Sequence, residues 1–340
     1  ETLPTCNIPI ILLDQSLSAS AGILGGFKPT KLLGGDKNKI PKRFKKWEDL
    51  LGNILDIYQQ QSPPPPPNVP PEKSNIKGLS VVKDYLSDYG YIQSSGPFND
   101  SFDLETILAI KTYQQFSNLQ VTGALNEQLF QQMSTLRCGV PDVNFDYNLT
   151  DDNMSYPKAG HQWFPNGNLT YGFLPENLIP DNMTKVFRNS FARWARASGA
   201  LNLTETTYDN ADIQVGFYNF TNLGIEMEVY GASLIVLQPD SSKKGMVLLD
   251  CTMDWLLPRE NASLSEENGG LDLETAAMHQ IGHLLGLDHS PIEDDIMYPY
   301  YGNISNQSAM VDSASHGGGL DVLLVTTFSL GFAYVLLLLY

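Results

Sequence analysis

With 340 residues, 42% of them apolar, the chain can bury the cores of about two modest domains and is not a disordered polymer. Its formal net charge of −17 excludes nucleic acid as a partner, since an acidic surface repels a phosphate backbone. The cysteines, Cys6, Cys138 and Cys251, make no disulfide framework, and their odd count leaves at least one thiol unpaired or put to other chemistry.

Residues 1 to 74 carry little periodic signal. They hold a basic patch at Lys42-Arg43-Phe44-Lys45-Lys46 and a proline run, Pro63 to Pro67, that reads as an extended spacer. A compact helical segment follows. Leu79, Val82, Leu86 and Tyr89 recur at helical spacing, a second helix starting near Asp103 carries Leu104, Ile107, Leu108 and Ile110, and a third starts at Asn126 and buries Leu129, Phe130 and Met133.

From about residue 159 strand and helix signals alternate. Asn168 to Phe173 reads as a strand, and Met183 to Ala197 as a helix with Val186, Phe187, Phe191, Trp194 and Ala195 facing a core. Leu201 to Thr207, Ala211 to Tyr218, Ala232 to Gln238 and Met246 to Cys251 supply further strands, and a last helix runs from about Leu271 to Leu285.

That last helix carries the chemistry. His279 and His283 lie four residues apart on one face, so both imidazoles can reach one metal ion. Gly286 permits a sharp turn that brings round His289 as a third ligand, and the fourth position stays open for water, which is the coordination of a catalytic rather than a structural zinc. Position 280 is Gln280. Its amide hydrogen-bonds water but has no basic pKa with which to accept a proton.

The run from His279 to His289 resembles the H-E-x-x-H-x-x-G-x-x-H motif of the metzincin proteases, and Ile296-Met297-Tyr298-Pro299 resembles their Met-turn, a methionine loop beneath the metal. The likeness is closest to the matrix metalloproteinases, particularly the plant members, and covers roughly residues 75 to 300. It implies an α/β (α+β) fold: a metzincin-type catalytic domain, with a twisted mixed five-stranded sheet and helices, preceded by a small peptidoglycan-binding-like helical prodomain that includes Val121-Thr122-Gly123. Arg137-Cys138-Gly139-Val140-Pro141-Asp142 resembles the family's cysteine switch, with Leu136 in place of its first proline. A thiolate is a good zinc ligand, so the resemblance implies that Cys138 fills the fourth position in a latent form, with Arg137 and Asp142 fixing the loop. In the family the residue after the first histidine is a glutamate acting as general base, the position that Gln280 takes here.

Other family features are missing. A second, structural zinc normally needs three histidines and an aspartate, yet only His161 and His316 lie outside the catalytic motif, so one zinc is expected. Leu248 and Met253 stand where the family has a histidine and a calcium-facing glutamate, leaving Asp250 and Asp212 as weak calcium candidates. The family's third helix after Met297 has no counterpart in the polar segment from Tyr300 to Ser308.

Sequons at Asn99, Asn148, Asn153, Asn168, Asn182, Asn202, Asn219, Asn261, Asn303 and Asn306 argue for the secretory pathway. The uncharged stretch Val322 to Tyr340 has no basic flank after it and follows small residues at Ser313-Ala314-Ser315, as a glycosylphosphatidylinositol signal does, the alternative being a transmembrane span. The expected organisation is a leader and linker at 1–74, a prodomain at 75–142 ending in the switch, a linker at 143–158, a catalytic domain at 159–305, and a spacer with anchor signal at 306–340. The expected function is that of a secreted monomeric zinc metalloendopeptidase, made as a zymogen inhibited by its own prodomain, acting on extracellular proteins and impaired by Gln280. The alternative is a pseudoprotease that binds peptides or inhibitors through the same zinc-bearing cleft.

Overall fold

A computed structural model describes residues 51–57, 74–94, 96–143, 154–165, 167–175, 178–220, 229–258 and 270–301. The proline run, the apolar C-terminal stretch and the segment that would hold a third catalytic-domain helix lie outside them. The chain divides into two compact units.

The smaller unit is helical. A short antiparallel pair, β1 (Ser74–Asn75) and β2 (Ser101–Phe102), brackets α1 (Leu79–Asp88), and α2 (Leu104–Phe116) and α3 (Glu127–Met133) follow. Each later helix starts where a side chain caps it: Asp103 accepts the Thr106 amide at 2.9 Å and Asn126 the Leu129 amide at 2.8 Å. Leu79, Val82 and Leu86 of α1 are buried, as are Leu129, Phe130 and Met133 of α3. The α2 face differs from the expected one. Leu104 and Leu108 are 63% and 54% exposed, whereas Thr106, Ala109, Ile110, Tyr113 and Gln114 are buried. Polar side chains belong inside here because they are satisfied: Gln114 Oε1 takes the amides of Thr122 and Gly123 at 2.9 and 2.8 Å, which ties the following loop to the helix.

Asp88 lies at the end of α1, where burial and then the nearby Asp84 carboxylate push its carboxyl up to about 8. The unfolded chain releases this proton near the ordinary value of 3.8 and the folded unit holds it, so stability falls as pH rises from about 4 to about 8. Asp88→Asn should therefore stabilise the full-length chain at pH 7 by at least ~1 kcal/mol, with the gain vanishing toward pH 4. Thermal unfolding of both proteins across that range measures it; an equal gain at every pH contradicts the assignment.

The larger unit takes in the described residues from Met154 onward together with Arg137–Val140, so the segment expected at the end of the prodomain is grouped with the catalytic residues. Its sheet is mixed. The order is β3 (Arg137–Cys138), β8 (Val229–Leu237), β9 (Lys243–Asp250), β7 (Ile213–Tyr218), β5 (Asn168–Phe173) and β6 (Asn202–Glu205), and β4 (Met154–Ser155) also pairs with β8. Strands β8 and β9 are antiparallel, while β9–β7, β7–β5 and β5–β6 are parallel. The five longer strands overlap the five read from the sequence. Strands β3 and β4 flank β8, and β4 falls in the stretch expected to be a linker.

Two helices, α4 (Asp181–Ser198) and α5 (Leu273–Leu284), pack on each other. Phe187, Phe191 and Trp194 of α4 are fully buried, and the Trp194 indole donates to the Met278 carbonyl of α5 at 3.0 Å. Arg193 and Glu274 pair at 2.6 Å between the helices. Asp272 caps α5 through the Thr275 amide at 2.8 Å, and the Trp163 indole donates to the Leu284 carbonyl at 2.7 Å, so both ends of this helix are held. A further parallel pair, β10 (Trp255–Leu256) with β11 (Leu271–Asp272), leads into it.

Candidate metal centre

Helix α5 ends in a turn that decides the site. After Leu285 the backbone enters the left-handed region at Gly286, with φ 92°, a conformation that costs a β-carbon-bearing residue about 1 to 2 kcal/mol. The reversal returns His289 to the face carrying His279 and His283. The three Nε2 atoms then stand 3.1 Å (His279 to His283), 3.1 Å (His283 to His289) and 3.3 Å (His279 to His289) apart.

Their tautomers follow from their other contacts. His279 Nδ1 lies 2.8 Å from the Ile296 carbonyl and His283 Nδ1 2.8 Å from the Leu287 carbonyl; a carbonyl only accepts, so both Nδ1 atoms carry the proton and both Nε2 lone pairs face inward. Burial holds the His283 imidazole down to about 4, so it is neutral at physiological pH. Converging bare lone pairs repel unless a cation lies between them. Tetrahedral zinc with Zn–N near 2.0–2.1 Å sets nitrogens about 3.3 Å apart, close to the separations here.

Cys138 completes the group. Its sulfur is fully buried, 3.5 Å from His283 Nε2, and all four ligand atoms lie within 4.8 Å of one another. Burial alone would push this thiol up, but positive charge at the histidine cluster outweighs it and lowers the thiol well below its usual range, the direction that favours the form of sulfur that zinc binds. Strand pairing delivers it: Cys138 lies opposite Gly231 of β8, its amide donates to the Pro299 carbonyl at 2.8 Å, and the Gly139 amide donates to the Gly231 carbonyl at 2.9 Å. Arg137 is buried, with its guanidinium 4.8 Å from the Tyr300 ring centre and Nη1 donating to the Tyr300 hydroxyl at 3.2 Å. In the smaller unit, Asp142 accepts the Tyr91 hydroxyl at 2.6 Å.

Gln280 is fully buried beside this group, its Nε2 donating to Cys138 Sγ at 3.2 Å. Beneath it, Met297 is buried against Gly282, where an added Cβ would meet the methionine sulfur at 2.6 Å. Only glycine allows that approach. Spacing arguments overlooked Ser233, whose hydroxyl lies 2.8 Å from Gln280 Oε1. The available signal was a single aliphatic hydroxyl in an otherwise apolar or aromatic strand.

The two calcium candidates do not meet. Tyr218 of β7 pairs with Asp250 of β9, whereas Asp212 precedes Ile213, which pairs with Gly245, so the two carboxylates sit at opposite ends of the pair, roughly 20 Å apart at about 3.3 Å per residue. Asp212 instead takes the Thr170 amide and hydroxyl at 2.8 and 2.7 Å, and Asp250 the Thr252 amide at 3.0 Å.

The matrixin profile matches residues 162–316, and a putative peptidoglycan binding domain matches residues 77–133. Metalloendoproteinase 5-MMP of Arabidopsis thaliana is 36% identical over 239 residues, 66% of this chain and 65% of that protein, so the chain spans slightly less than two thirds of that relative. Metalloendoproteinase 1 of Glycine max is 34% identical over 231 residues, covering 66% of this chain and 75% of that protein. The chain belongs to the matrixin family. Matrix metalloproteinase-2 of Drosophila melanogaster is more distant, 24% identical over 297 residues that make up 79% of this chain and 38% of that protein. The present chain is a plant-type matrixin whose relatives carry the name metalloendoproteinase, and the Cys138–His279–His283–His289 group has the donor chemistry that zinc takes.

Proposed function

We propose that this matrixin is a zinc-dependent endopeptidase held latent by Cys138 and slowed in its proton-transfer step by Gln280. The carrying observation is the buried Cys138 sulfur among three inward-facing imidazoles with an amide donor beside it. Zinc held by His279, His283 and His289 supplies Lewis acidity toward a scissile carbonyl and an attacking water. The protein's own part is to fix the His279 and His283 imidazoles through the Ile296 and Leu287 carbonyls, to withdraw Cys138 when the prosegment is removed, and to orient water with the Gln280 amide. That amide cannot take a proton, and loss of a general base costs about 10² to 10⁴ in rate.

The same amide favours a second reading, a pseudoprotease that captures peptides or inhibitors in the cleft without turning them over. Substrates in the first reading, and ligands in the second, are extracellular proteins. Secretion is supported by the sequons, among which Asn99, Asn168, Asn182 and Asn202 are exposed. No helix among the described residues is long and apolar enough to cross a membrane, and the proposed lipid-anchor signal at Val322 to Tyr340 lies beyond them.

Latency is tested by alkylation. In the zinc-loaded full-length protein Cys138 should resist iodoacetamide and become reactive when a chelator removes the metal. Equal labelling of Cys138 under both conditions overturns the switch.

A further inference from the structure

Within the protein, Cys138 Sγ accepts from two N–H groups, the Val140 amide at 3.4 Å and Gln280 Nε2 at 3.2 Å. A glutamine amide can sit either way round, and only one orientation presents hydrogens to the sulfur. The sulfur decides between them, because a zinc-bound thiolate has no hydrogen to give and can only accept. The Ser233 hydroxyl lies 2.8 Å from Gln280 Oε1 and 2.8 Å from the Gln280 backbone carbonyl, sharing its one proton between the two oxygens on the side of the amide away from Cys138. Ser233, Gln280 and Cys138 are all fully buried, so water does not compete for these contacts.

A thiolate accepts hydrogen bonds and cannot donate them, and a bond to a charged acceptor is about twice as strong as one between neutral groups. Glutamate at position 280 has no N–H to offer and, when ionised, places negative charge against the sulfur. The substitution that removes a proton acceptor from the cleft thus adds a donor to the latch. We infer that the Gln280 N–H holds the Cys138 sulfur, with Ser233 as a positioning residue that braces the oxygen end of the amide, so that position 280 serves latency at the expense of turnover. This rests on the latent zinc reading above.

The test is the rate of Cys138 alkylation by iodoacetamide in the zinc-loaded full-length chain, read by peptide mass, with zinc content measured alongside. Gln280→Glu and Ser233→Ala should each raise the rate about tenfold, the loss of one charge-assisted bond, with zinc retained. The double variant should be no faster than Gln280→Glu alone, because Ser233 acts only through the glutamine amide. Fully additive rates would show Ser233 to be a general packing contact and overturn the relay. An unchanged rate in Gln280→Glu, which is nearly isosteric and so not confounded by misfolding, overturns the latch. Chelator-insensitive labelling of the unmodified protein instead rejects the switch itself and carries this inference down with it, an outcome distinct from the other two.

Discussion

Gln280→Glu should raise peptide turnover by the prosegment-free catalytic domain by about 10² or more. The amide and the carboxylate have nearly the same shape, so the substitution leaves packing and zinc ligation in place and changes only the capacity to accept a proton. Ser233 already lies 2.8 Å from the side-chain oxygen at this position and would donate equally well to a carboxylate. The gain should appear in kcat, with a hydroxamate zinc ligand binding both forms alike. Equal rates would mean that another group takes the proton, and the pseudoprotease reading would then be abandoned.

His283→Ala should lower zinc affinity by more than about 10²-fold, a loss that even groups supporting a ligand from behind can cause. His283 is the imidazole closest to both of its partners, at 3.1 Å from each, and it also faces Cys138. The expected result is therefore twofold: metal lost to a weak chelator, and Cys138 alkylated without any chelator. Retention of zinc at wild-type affinity would remove His283 from the ligand set.

Much of this arrangement is legible in the sequence because its determinants are local. The histidine spacing and the left-handed glycine lie within one helix and one turn, and the five long strands announce themselves by apolar runs. What is hidden depends on distant partners. Cys138 is assigned to the metal by resemblance alone, since it meets His283 through the pairing of β3 with β8, and β3 and β4, at two residues each, are too short to show any alternation. The α2 face is misread for a related reason: Gln114 and Thr106 look exposed by polarity but are buried against the loop and cap they hydrogen-bond. Asp212 and Asp250 look like a pair only while the parallel register of β7 and β9 is unknown.

The central claim is a single zinc held by three imidazoles and, in the latent chain, by the Cys138 sulfur. X-ray absorption at the zinc edge of the full-length protein tests it most directly. The spectrum should fit three nitrogen scatterers at about 2.0 Å and one sulfur at about 2.3 Å, with the sulfur lost once the prosegment is cleaved away. A full-length spectrum with nitrogen and oxygen scatterers alone would contradict it.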